Sequence, residues 1–207
     1  MPEELRRLGA VLDERLSASL ETPYVTAAFK LLIFTGCRLN EIQTLKWSFL
    51  KGGSIELPDS KTGERRIPLP PAARAVIAGL PRDPENPFII AGDVPGRHIT
   101  DLQRPWRRIR KAAGLDDVCI HDLLHTYASI AVKQGLSLPT VGKLLGHSQM
   151  QTTMRYAHWE DAPVQSAAES VSNTLSNALT SNDGRQPPQQ PVFRAEVSML
   201  SPANDAA

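Results

Sequence analysis

The chain has 207 residues, 41% apolar and 22% charged, with a formal net charge of only +1, a composition suited to a globular domain with its own core. Its longest apolar run, Ala27 to Phe34, is broken by Lys30 and is too short for a bilayer, and Met1 to Ala10 lacks a secretion signal's unbroken apolar stretch, so no membrane partner is indicated and a cytoplasmic location is expected. Cys37 and Cys119 have no metal-type spacing and are expected to be free thiols.

Taken in order, Glu3 to Leu20 is expected to form an amphipathic helix, with Leu5, Leu8, Val11, Leu12 and Leu16 at steps of three and four. Thr22-Pro23 is a helix start, Val25 to Phe34 a buried helix, and Gly36 its stop. A short helix follows from Arg38, with Leu39, Ile42 and Leu45 inward and Arg38 and Glu41 neighbours three apart. From Trp47 to Leu69 the period becomes that of strands: S-I-E-L, the turn D-S-K-T-G-E bearing Lys61, then R-R-I-P-L.

Pro70-Pro71 opens a helix to Leu80, Phe88 to Ala91 is a candidate short strand, and Thr100 is expected to cap a helix ending at Gly114. On that helix Arg104, Arg107, Arg108 and Lys111 share one face, a stripe suited either to tracking phosphates or simply to facing water. Helices are then expected over His121 to Lys133, Leu138 to Leu145 and Met150 to His158. The fold class is mostly α with a small antiparallel β-sheet. Residues 1–162 are expected to form one domain. A narrow seam over residues 163–180 (Val164, Ala168, Val171, Leu175, Ala178) suits docking on another surface or packing in cis, and residues 181–207 have the composition of disorder.

The chemistry concentrates between Ile120 and Trp159, which holds four of the 5 histidines and Tyr156. His121 and His125 stand four apart on one helix face, the spacing of a zinc pair with His147 as a conceivable third ligand. The intervening D-L-L lacks the glutamate a zinc protease carries after its first histidine, which argues against a metal.

Five motifs, T-G-C-R-L-N-E-I-Q-T-L-K-W, S-K-T-G-E-R-R-I-P-L, H-D-L-L-H-T-Y-A, L-G-H-S and T-T-M-R-Y-A-H, resemble in type, order and separation the boxes of the tyrosine recombinases, or phage-type integrases, over roughly Leu5 to Trp159. The resemblance implies a catalytic-domain fold that breaks and rejoins DNA through a 3′-phosphotyrosyl link. Tyr156 would be the nucleophile, Arg38 and His147 would bind the non-bridging oxygens, Lys61 would protonate the departing 5′ oxygen and His121 would assist proton transfer. Glu41 would buttress Arg38 and His125 would be a buried hydrogen-bonding residue. A cationic site is expected to favour the phenolate of Tyr156 over the phenol, whose ordinary pKa is about 10. No metal or nucleotide cofactor is implied.

The family also implies double-stranded DNA as partner and a homo-tetramer on DNA joined through the C-terminal helix, with a monomer when free. Its additional DNA-clamping domain is expected to be missing before this one. The sequence departs from the family at Leu124, where the second clamp arginine should stand. Losing one transition-state donor costs on the order of 3 kcal/mol, so impaired catalysis is expected. Arg155, Arg65 and Arg66 are the candidate substitutes. The alternative is a degenerate relative that binds DNA as a regulator or assembly partner.

Overall fold

Helix boundaries follow the capping chemistry of the sequence in the computed structural model, which describes residues 2–60, 63–147, 150–156 and 172. The chain divides into two compact units, Met1–Gln165 and Ser166–Ala207. Every element named below belongs to the first. Apart from Ser172, which is helical, the expected docking helix and tail lie outside the described residues.

Helix α1 (Pro2–Ser17) buries Leu8 and Leu12, and α2 (Pro23–Thr35) is buried along most of its length. The Thr22 hydroxyl accepts from Val25 N–H and Pro23 occupies the first turn, so donors left open at the helix start are satisfied or removed. Gly36 ends α2 at φ 62°, in the left-handed region. A side chain there would also meet the Tyr127 ring at 2.6 Å, so glycine is required by both backbone and packing. The short α3 (Leu39–Gln43) follows, with Arg38 as its N-cap.

After a 3₁₀ turn, Trp47–Phe49, come β1 (Leu50–Lys51), β2 (Ser54–Ser60) and β3 (Gly63–Pro68), an antiparallel sheet in the order β1-β2-β3. Its register pairs Ile55 with Ile67 and Leu57 with Arg65, so Arg65 shares the inward face with Ile67. The hairpin was legible in the alternation of the sequence, whereas β1, only a pair of residues, was not. Lys61, at the hairpin tip, lies outside the described residues.

Helices α4 (Pro71–Ala78), α5 (Gln103–Ala112), α6 (Ile120–Lys133), α7 (Leu138–Leu145) and α8 (Met150–Met154) complete the unit. Two local expectations are corrected. The Asp101 carboxylate, not Thr100, accepts from the backbone N–H groups of Gln103 and Arg104, because its position places the oxygen over the first turn of α5. Phe88 to Ala91 forms no strand; Phe88 and Ala91 each make one isolated bridge, to Lys46 and His98. Residues 157 and 158 of the last expected helix lie outside the described residues.

Helix α6 divides between two apolar clusters. Ile120 and Leu123 join the larger, which runs through Phe29, Ile42, Ile55, Ile67 and Trp106. The smaller contains Leu124, Ala128, Ala131 and Val132 of α6, Leu138, Val141 and Leu145 of α7, and Tyr156. At ~1.5–3 kcal/mol per fully buried large apolar side chain, the second cluster is enough to hold α7 and the segment bearing Tyr156 on α6. Among the described residues no helix is long and apolar enough to cross a membrane.

Candidate active site

Arg38 is held from three directions. Its backbone N–H donates to Glu41 Oε2 at 2.8 Å and its Nη1 to Glu41 Oε1 at 2.9 Å. Nη2 donates to the Gly146 carbonyl at 2.8 Å, joining α3 to the end of α7. A guanidinium has donors to spare after these bonds, and the side chain keeps 33% of its exposure, so a fixed, partly open cation results.

Glu41 also accepts from Arg65 Nη1, at 2.7 Å to each carboxylate oxygen, while Arg65 Nη2 donates to the Leu144 carbonyl at 2.7 Å. Two arginines thus satisfy carbonyls at the α7 C-terminus, where helix carbonyls lack intrahelical partners and the helix dipole favours positive charge. Glu41 thus bonds Arg38 and Arg65 together. The sequence carried a signal for this second partner: an arginine on the apolar face of a strand needs a buried acceptor.

Gly146, at φ 63°, terminates α7 and lets the chain turn. His147 follows, half-buried, its Nδ1 at 2.9 Å from the hydroxyl of fully buried Thr153. Burial, assisted by Arg38, Arg155, Arg65 and His125, holds the His147 imidazole below its ordinary pKa. Thr153, which orients this ring, carried no distinguishing sequence signal.

Tyr156 is 4% exposed, with its ring in the smaller apolar cluster and its Oη at 2.6 Å from His125 Nδ1. Burial raises the phenol pKa, with Arg155 opposing. This differs from the expected phenolate-favouring site: the apolar cluster outweighs the nearby cation, and Tyr156 is held as a neutral phenol. The His121 ring stands edge-on to His125 at 4.6 Å between centroids and is itself exposed. Asp122 accepts from Cys119 N–H at 2.7 Å, capping the start of α6, and hydrogen bonding with Cys119, through its side chain first and its backbone second, lowers the Asp122 pKa against the opposing effect of burial.

Leu124, where the motif resemblance leads one to expect an arginine, is 5% exposed and shares the apolar cluster with Tyr156. Of the candidate substitutes, Arg65 is buried and committed to Glu41 and Leu144. Arg66 is exposed on the opposite face of β3, bonded to Ser54. Arg155 is exposed and within electrostatic reach of His125, His147 and Tyr156.

Arg38, Glu41, His121, Leu124, His125, His147 and Tyr156 are therefore brought together by α3, α6, the α7 terminus and the segment after α8. The α5 stripe is a separate feature. Arg104, Arg107, Arg108 and Lys111 are exposed, but Arg108 is bound through Nε and Nη2 to buried Glu21, at 2.9 and 2.8 Å. Glu21 also takes Arg15, a pairing that sequence spacing did not reveal. Among the described residues no group of three or more histidine, cysteine or acidic side chains could hold a metal ion.

Comparison with known proteins agrees with this architecture. The chain is 27% identical over 197 residues to tyrosine recombinase XerA of Saccharolobus solfataricus, covering 90% of this chain and 61% of the relative, so it spans less than two thirds of that protein. The solved catalytic domain of bacteriophage HP1 integrase superposes with a TM-score of 0.61 at 25% identity, over 83% of this chain and 94% of that one. The XerH site-specific recombinase bound to its palindromic difH substrate, in a post-cleavage complex, shares the fold with a TM-score of 0.62 at 22% identity, over 80% of this chain and 51% of that one. Residues 2–162 match the Phage integrase family, and the chain, a helix-rich unit with a small antiparallel sheet of the tyrosine-recombinase catalytic type, belongs to that family.

Proposed function

We propose that this chain is the catalytic domain of a site-specific DNA recombinase that works through a 3′-phosphotyrosyl intermediate. The observation that carries the reading is the hydrogen bond from Arg38 Nη2 to the Gly146 carbonyl, which joins residues 108 positions apart and sets a guanidinium beside the corner that bears His147. A phosphodiester transition state gathers charge on its non-bridging oxygens, so fixed donors of this kind supply most of the catalysis.

In this reading Tyr156 Oη attacks phosphorus, the P–O5′ bond breaks and Lys61 protonates the departing oxygen. Arg38 and His147 hold the non-bridging oxygens, with Glu41 orienting Arg38. Bond energy is retained in the phosphotyrosyl link, so an incoming 5′-hydroxyl reverses the step and the reaction calls for no metal or nucleotide. Arg104, Arg107 and Lys111 contribute phosphate contacts, making affinity salt-dependent. The segment over 163–180 joins protomers into a tetramer on DNA. Relatives that bear the name tyrosine recombinase and a neighbour solved on its DNA substrate support the reading.

Leu124 weakens the clamp. An apolar side chain replaces a charged donor, a loss on the order of 3 kcal/mol in transition-state binding, or roughly a hundredfold in rate. The test is covalent capture of a pool of nicked duplexes of random sequence, resolved on denaturing gels, with this chain, Leu124→Arg and Tyr156→Phe. Expected is a slow adduct with the unmodified chain, an adduct about a hundredfold faster with Leu124→Arg, and none with Tyr156→Phe. An adduct persisting in Tyr156→Phe, or none from either of the other two proteins, refutes the reading. An adduct with Leu124→Arg alone leaves the natural chain as a DNA-binding relative.

A further inference from the structure

We propose that His125 is the group that takes the proton of Tyr156 as its oxygen attacks phosphorus, a role that rests on the recombinase reading above and adds a catalytic residue to it. Among the groups around the phenol, His125 makes the direct contact, Nδ1 to Oη at 2.6 Å. His121 meets the face or edge of the His125 ring rather than the phenol. A general base must lie within hydrogen-bond reach of the proton it removes, about 2.6–3.2 Å, and His125 satisfies that condition.

The protonation states agree with the geometry. Burial lowers the pKa of His125, assisted by His121 and Arg155 and opposed by Asp122. Burial raises that of Tyr156. A neutral phenol therefore faces a neutral imidazole across this 2.6 Å contact, and the proposal requires the tautomer in which Oη–H donates to Nδ1 and the ring's proton sits on Nε2. The ordinary phenol value of 10.0 lies well above the imidazole value of 6.5, so the proton moves as the Oη–P bond forms and the oxygen loses basicity, not beforehand. The balance is complete: Oη–P forms, P–O5′ breaks, the phenol proton passes to His125 Nδ1 and O5′ takes its proton from Lys61. When a 5′-hydroxyl reverses the step, protonated His125 returns its proton to the departing Oη. The titratable and charged groups facing the ring are His121 and Asp122 of α6, Arg155 beyond α8, His147 after α7, and Tyr156. Asp122 is placed to favour the imidazolium formed in transit.

The first measurement needs no DNA. Long-range proton–nitrogen NMR on the full chain should show His125 protonated at Nε2, with Nδ1 an acceptor whose shift changes in Tyr156→Phe; a proton on Nδ1 overturns the proposal. The second uses a duplex captured from the random pool, in single-turnover adduct formation by the unmodified chain, Leu124→Arg and each combined with His125→Asn. Asparagine keeps a hydrogen-bonding atom near the Nδ1 position but is not basic. Expected is a loss of about a hundredfold in adduct rate near neutral pH with DNA affinity unchanged, shrinking as rising pH ionises the phenol directly. An adduct rate and pH profile unchanged by His125→Asn overturn this inference alone. No adduct from either His125-containing protein overturns the recombinase reading and this one with it.

Discussion

Replacing Gly146 by alanine would set a methyl group 2.7 Å from both Cδ and Cζ of Arg65, with the backbone at φ 63°. The left-handed conformation alone costs an L-residue ~1–2 kcal/mol. The larger part comes from Arg65, whose side chain is 6% exposed and has no room to move aside. Displacing it breaks its ion pair with Glu41 and its bond to the Leu144 carbonyl, and breaking a buried pair costs ~3–5 kcal/mol. The whole is about 4–7 kcal/mol if the guanidinium leaves fully. At ~2–4 °C per kcal/mol for a chain of this size, Tm should fall by at least about 8 °C. Urea denaturation of Gly146→Ala, Arg65→Ala and the double variant isolates the contact. Alanine at 146 should cost only ~1–2 kcal/mol once Arg65 is truncated. An equal cost in both backgrounds would refute a side chain threaded beneath this glycine. Because Gly146 also offers its carbonyl to Arg38, adduct formation should fall with it.

His125 and His147 both have lowered pKa values, so as pH falls below the ordinary 6.5 the unfolded chain takes up protons the folded chain refuses, and stability is lost down through the lowered folded values. Urea stability at about pH 5.5 should lie below that at about pH 7.5, with a smaller difference in a His125→Gln, His147→Gln variant; an undiminished difference would show that these rings are not responsible. Asp122, also lowered, contributes stability lost only below its ordinary 3.8 and is separable on that ground. Burial pushes the Cys37 thiol up to about 11, whereas Cys119 is exposed, so an aromatic disulfide reagent near neutral pH should modify Cys119 in the native chain and both thiols in denaturant. Rapid native modification of Cys37 would mean that its site opens.

Local chemistry was readable from the chain alone. Thr22 with Pro23, Gly36 and Gly146 delimit helices because a cap is satisfied within about four residues of its own backbone, and the inward Ile55 and Ile67 declare the hairpin because strand side chains alternate. The order of the five motifs likewise pointed to the family without any coordinates. The partners of the charged and reactive groups depend instead on which helix faces meet. Arg65, a candidate replacement at the phosphate by sequence, is taken by Glu41 and Leu144 because β3 lies against α3 and the α7 terminus. Leu124, by sequence a gap in a clamp, fills the cluster that buries Tyr156. The Tyr156 phenol, expected to be drawn toward its phenolate by cations, is kept neutral and aimed at His125, 31 positions earlier. Periodicity specifies which face of a helix is apolar, but the burial of a titratable group, and so the sign of its pKa shift, is set by the neighbours that close over it.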